Sequence, residues 1–212
     1  MYIVINELEK DVLREIVNIG LARAADSFAG YAQDHVLLDV PDVKIIEPNV
    51  LREVINDYGN LYLATRSQIT GDLKGKTYLL FSQETLERIS TVCLRDKQPG
   101  SHDYDKCREA MISDISNLIT DALVIQLSKL LSLEVLTEES ETLFDSEERT
   151  ISEILEDIST AQPFMITIKT QFKNLHQSVE LPMLVIFNSQ SLFKILNFIR
   201  SNNLYDFKVL RQ

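Results

Sequence analysis

The sequence is poor in the residues that break or staple a chain. Of its 212 residues only 11 are Gly or Pro, which excludes collagen-like, linker-like and low-complexity classes. Only two are cysteines, Cys93 and Cys107, without the close spacing of a zinc or redox motif. They read as reduced, semi-buried thiols. His35, His102 and His176 are scattered and lack the paired spacing of a metal site, so any metal the chemistry needs has to come from elsewhere. Excess base is missing too: 21 Lys and Arg stand against 32 Asp and Glu, the net charge is −11, and no basic run reaches three. Phosphate contacts need a basic face, so the expectation is no nucleic-acid partner and no anionic membrane surface. No apolar segment approaches the roughly 18 uninterrupted residues of a membrane span. The start, MYIVINELEKDV, has neither a basic region nor a cleavage site. A soluble, cytoplasmic protein is expected.

What is present is material for a folded core, 45% hydrophobic and 25% charged residues. From Asn6 to about Tyr31, Leu8, Val12, Ile16 and Ile19 alternate with Leu13, Val17, Leu21 and Phe28, the broad apolar face of a long amphipathic helix. Asn6 followed by Glu9 is a capping box, and Gly30 suits the C-terminal end. HVLLDVPDVKIIEP (35–48) reads as a strand interrupted at Pro41. LYLATRSQIT and KTYLLF, separated by GDLKG, read as a hairpin. SQETLERISTVCL (82–94) reads as a helix capped by Ser82. Residues 97–100 then break the chain.

After that break the order repeats. A long helix is expected from about Asp105 to Leu131, then a strand at LEVL, a helix at ERTISEILEDIS, a hairpin from PFMITIKTQF to LPMLVIF, and a closing helix at SQSLFKILNFIR. Phe81, Leu86 and Ile89 recur as Phe187, Leu192 and Ile195, 106 residues later, and the long helices align at an offset of 99, Asn18 over Asn117. The expected fold is a single α/β (α+β) domain over residues 1–212, with pseudo-repeats of about 1–100 and 101–212. Its sheet should be largely antiparallel, with the two long helices side by side.

GDLKGKT (71–77) imitates a phosphate-binding loop. It has three residues between its glycines where that loop needs four, and it precedes a strand where the loop must open a helix, so a hairpin turn is expected. The long helices offer a better lead. Asp11, Glu15, Asn18 and Ala22 form one stripe at i, i+4, i+7 and i+11, and Ala110, Asp114, Asn117 and Asp121 repeat it. A carboxylate three residues before a carboxamide therefore occurs twice at equivalent positions. From spacing alone, two ordinary polar helix surfaces remain the favoured reading.

DVLREIVNIGLARAADSFAG resembles the signature helix of the CheC, CheX and FliY family of chemotaxis phosphatases, (D/S)xxxExxN followed by small residues, which Asp11, Glu15 and Asn18 match. VPDVKI resembles the strand after it, GDLKGKTYLLFSQETL the hairpin and helix, and MISDISNLITDALVIQLSKLL the second signature copy. An acidic segment around Glu138 to Glu148 looks like a longer insertion. The second copy has Ala110 at the Asp/Ser position and Asp114, one methylene shorter, at the Glu position. After Asn18, Leu21 and Arg23 stand where the family more often has Gly and Asn.

The resemblance implies a CheC-like fold and dephosphorylation of a phosphorylated CheY-like receiver domain in two-component signalling. Water attacks the receiver's aspartyl phosphate in line, and the receiver supplies Mg2+ and a Lys that screens phosphoryl charge. Catalytic roles fall to Asn18 and Asn117, which orient water, and to Glu15 and Asp114, which pair with that Lys. Asp11, Ala22, Ala110 and Asp121 would line the docking surface. No metal or cofactor of the chain's own is implied. A homodimer through the sheet edge or a helix stays open. The alternatives are a receiver-binding adaptor or flagellar-switch-like component without hydrolysis, and an unrelated acid/base enzyme with converging carboxylates.

Overall fold

The computed structural model describes residues 3, 5–32, 36–38, 42–45, 50, 52–53, 55, 61–143, 147–158, 161–172 and 177–205. The first half contains α1 (Glu7–Ala32), β1 (Val36–Leu38), β2 (Asp42–Ile45), β3 (Leu61–Gly71), β4 (Gly75–Ser82) and α2 (Gln83–Cys93). The second contains α3 (His102–Leu131), β5 (Val135–Thr137), β6 (Glu141–Leu143), α4 (Glu147–Ile158), β7 (Ala161–Phe172), β8 (Gln177–Asn188) and α5 (Ser189–Ser201).

The helices start where side chains satisfy their free N–H groups. Asn6 Oδ1 accepts from the Glu9 N–H at 2.9 Å while Glu9 Oε2 accepts from the Asn6 N–H at 2.8 Å, completing the expected capping box. Ser82 caps α2 and Asn188, 106 residues on, caps α5. Ser101 accepts from the Tyr104 N–H, so α3 begins at His102, three residues earlier than the periodicity indicates.

All strand pairs among the described residues are antiparallel, and eight strands form one sheet along the path β1-β7-β8-β4-β3-β5, with β2 also on β7 and β6 also on β3. The halves interlock. The short strands that follow α1 pair with the hairpin of the second half, and those that follow α3 pair with the hairpin of the first. Val36 pairs with Phe172 as Val135 pairs with Gly71, and Asp42 pairs with Thr167 as Glu141 pairs with Arg66. An offset of 99 thus runs on from the helices through the short strands. The acidic segment read as an insertion holds β6 and the start of α4.

The sheet is covered on both faces, which is why its central strands read as unbroken apolar runs. Leu79, Phe81, Met183, Val185 and Phe187 join α1, α2, α3 and α5 in the larger core, while Tyr78, Leu80, Leu184 and Ile186 pack with Ile55 and with Ile151 and Ile154 of α4. Each such side chain contributes roughly 1.5–3 kcal/mol on burial. Asp157 fixes α4 to the sheet by accepting from the Tyr78 hydroxyl and, at 2.6 Å, from Lys76 Nζ. Burial first, then the Asp157 carboxylate, pushes the Tyr78 hydroxyl well above the usual tyrosine range.

By length and composition α3 could cross a membrane, which the expectation from uninterrupted apolar runs did not foresee. Its apolarity has another cause here. Met111, Ile112, Ile115, Ile119, Leu123 and Val124 are buried in the larger core. The GDLKG segment is the expected hairpin turn: a Cβ at Gly71, whose φ is +93°, would overlap the Glu134 carbonyl, and one at Gly75 the Ile186 carbonyl.

Candidate functional site

Helices α1 and α3 lie against each other, and they approach closely at Gly20, where a Cβ would stand 3.1 Å from the Ala122 carbonyl oxygen and 3.3 Å from Leu123 Cα. Val12, Ile16 and Leu21 of α1 face the core, as do Met111, Ile115 and Ile119 of α3. The two polar stripes therefore fall on the outer sides of a helix pair set on a rigid sheet. Asp11, Glu15 and Asn18 are half-buried and Ala22 is exposed; Ala110 and Asp114 are exposed, Asn117 and Asp121 half-buried.

The stripes differ in what holds them. Asp11 takes an ion pair from Arg14 Nη1 at 2.8 Å, one turn along α1. Glu15 is engaged in an interaction of its own. The Asn18 carboxamide has no hydrogen bond among the described residues, so both its donor and its acceptor remain for a partner or a water. On α3, Asp114 makes no ion pair among the described residues. Asn117 Oδ1, by contrast, accepts from the Ser140 N–H at 2.8 Å. Ser140 is itself fixed on α3, its hydroxyl 3.2 Å from both the Ser113 hydroxyl and the Ser113 carbonyl oxygen. Asp121 accepts from the Thr137 hydroxyl, so it ties β5 to α3.

Ser113, Thr137 and Ser140 are the residues the sequence did not mark. The bond that matters comes from a backbone N–H, which every non-proline residue has, and a three-residue strand on either side gives little pattern to place it.

Among the described residues no group of three or more His, Cys, Asp or Glu side chains is arranged to hold a metal ion. Cys93 and Cys107 are unpaired and half-buried, and burial pushes the Cys93 thiol up to about 12, against a smaller opposing pull from Arg95. A cleft of about 270 Å³, lined in part by Leu61, Glu84, Arg88 and Pro182, contains none of the stripe residues.

No protein-family model matches the chain. Among curated proteins it is similar to the CheY-P phosphatase CheC of Bacillus subtilis, 22% identical over 179 residues that span 82% of this chain and 84% of the relative. Among solved structures, FliY of Thermotoga maritima superposes with a TM-score of 0.70 at 14% identity, over 94% of this chain and all but 1% of the other. The FliG–FliM complex of H. pylori contains a chain matching at TM-score 0.64 and 10% identity, over 91% and 100%. The CheX-CheY-BeF3-Mg+2 complex of Borrelia burgdorferi gives TM-score 0.54 at 8% identity, over 82% and 98%. The resemblance to the CheC, CheX and FliY family thus holds in sequence and in fold, and the mixed helical and antiparallel architecture is the expected one.

Proposed function

We propose that this CheC-like chain accelerates hydrolysis of the aspartyl phosphate of a CheY-like receiver domain. The observation that carries the reading is Asn18, a carboxamide with no partner among the described residues, on a helix that the core holds rigidly. A nucleophilic water must aim a lone pair at phosphorus, so the group that orients it accepts a hydrogen bond from its O–H, and a neutral carboxamide does this without adding charge beside a phosphate. Glu15 and, on α3, Asp114 meet the receiver's Lys and set the docking register. Asp11, Ala22, Ala110 and Asp121 lie along the same stripes as the docking surface. Mg2+ arrives with the receiver, whose own acidic residues hold it, and receiver and enzyme meet in the cytoplasm. The test is phosphate release from a phosphorylated CheY-type receiver, with and without this protein.

A second reading, binding without hydrolysis, is favoured by one observation: the superposition on the chain from the FliG–FliM complex is better than that on the chain from the CheX-CheY complex. Binding to the receiver with no acceleration of phosphate release would establish it.

A further inference from the structure

We infer that the two stripes are not equivalent: the Ser140 N–H locks Asn117 into a receiver-docking role, and hydrolysis is confined to Asn18. This rests on the receiver-phosphatase reading above. The Ser140 N–H lies 2.8 Å from Asn117 Oδ1, and Ser140 is only 9% exposed, pinned through its hydroxyl to Ser113. The carboxamide oxygen is therefore turned toward the β5–β6 connection, and Nδ2 is the group left to face a partner. An N–H donor can bind a phosphoryl oxygen. It offers no acceptor for a water O–H, so it neither turns that water's lone pair toward phosphorus nor takes up the hydrogen bond that strengthens as the water loses its proton.

No such lock is present among the described residues of the first half, and the sequence supplies a chemical reason. The offset of 99 that relates β1 to β5 and β2 to β6 sets Pro41 opposite Ser140 in the sequence. Proline has no N–H in any conformation, and Asn18 has no hydrogen bond among the described residues. Ser140 is on this account a positioning residue that acts through Asn117, and one chain carries one hydrolytic and one docking surface for the same receiver.

The experiment measures phosphate release from a phosphorylated CheY-type receiver with Mg2+, and binding of the beryllofluoride-loaded receiver. Asn18→Ala should lose at least 10-fold in hydrolysis yet still bind the loaded receiver. Adding Ser140→Pro to Asn18→Ala removes the N–H, frees the Asn117 oxygen, and should restore hydrolysis at least 10-fold over the single variant. Ser140→Ala in the same background keeps the N–H and should restore nothing, although it removes the hydroxyl contacts. Survival of half or more of the activity in Asn18→Ala overturns the inference even if the proline variant fails to fold. So does a folded, receiver-binding Asn18→Ala/Ser140→Pro protein with no gain. Those outcomes leave the phosphatase reading intact, whereas a wild-type protein that binds the receiver without accelerating hydrolysis overturns both.

Discussion

Tyr78 and Leu184 face each other across the ladder between β4 and β8, and they are separated by the same 106 residues that relate the helix caps Ser82 and Asn188. A residue paired with its own counterpart marks a local two-fold axis, which therefore passes through the middle of the sheet between these fully buried side chains. Symmetry about this axis makes the two stripes comparable, and departures from it make them different. Tyr78 has a hydroxyl that reaches Asp157, while Leu184 has only a hydrocarbon end.

The ranking of the two carboxamides can be measured directly. Asn18→Ala is expected to slow phosphate release by roughly 10- to 100-fold, as loss of one positioning group does. Asn117→Ala is expected to cost less in rate and to show mainly as weaker receiver binding. Titration of each variant with phosphorylated receiver separates the two effects, and a larger rate loss for Asn117→Ala would reverse the assignment.

On α3 the reach of Asp114 is open to adjustment. A charge-assisted contact needs roughly 2.7 to 2.9 Å between donor and acceptor, and Asp is one methylene shorter than Glu. Asp114→Glu should therefore tighten binding of the loaded receiver without restoring hydrolysis in Asn18→Ala. Ala110→Glu, one turn away on the exposed surface, should weaken binding several-fold by crowding it. Isothermal titration calorimetry would show both, and an unchanged affinity in both variants would mean that this face does not meet the receiver.

Much of this organisation was legible in the sequence, and what escaped has physical reasons. The caps Asn6, Ser82 and Asn188 act within three residues of their own position, so local pattern finds them. Strand β6 pairs only over Ala64 to Arg66 of β3, and its Glu141 bonds to Arg66. A short, charged strand held by a partner 75 residues away resembles a loop. The stripes on α1 and α3 follow from helical spacing, while the bond to Asn117 depends on a main-chain group that carries no residue-type signal.

The half-buried Cys93 thiol gives a pH-dependent prediction. Cys93 is raised from 9.0 to about 12 when folded, so the folded state keeps a proton that the unfolded chain gives up. This contribution to stability is whole below about pH 9 and is lost as pH rises from there toward 12. Tyr78, shifted in the same direction, adds to the alkaline loss. Urea unfolding at several values between pH 8 and 11 should show falling stability, with a shallower fall in Cys93→Ala. At pH 8 the native thiol stays protonated, so alkylation of Cys93 should be far slower in folded than in unfolded protein. Equal rates would refute the burial argument.

Two glycines with positive φ should respond differently to alanine. Gly100, at φ +80°, has open space around it, so Gly100→Ala carries only the backbone preference, about 1 to 2 kcal/mol. Gly71→Ala adds overlap with the Glu134 carbonyl across the β3–β5 pair and should cost roughly 3 kcal/mol or more. Comparison of denaturation midpoints at constant m-value would test the order.

The exchange of short strands between the halves also bears on how the chain is made. When the ribosome has delivered the first hundred residues, β1 and β2 exist but their partner β7 does not, and β3 still waits for β5 and β6. The nascent first half must hold open sheet edges until nearly the whole polypeptide has emerged. Closing these distant pairings late is slow and leaves strand edges exposed to other chains. The interval between synthesis of β4 and of β8 is therefore the period in which this protein most needs protection from aggregation.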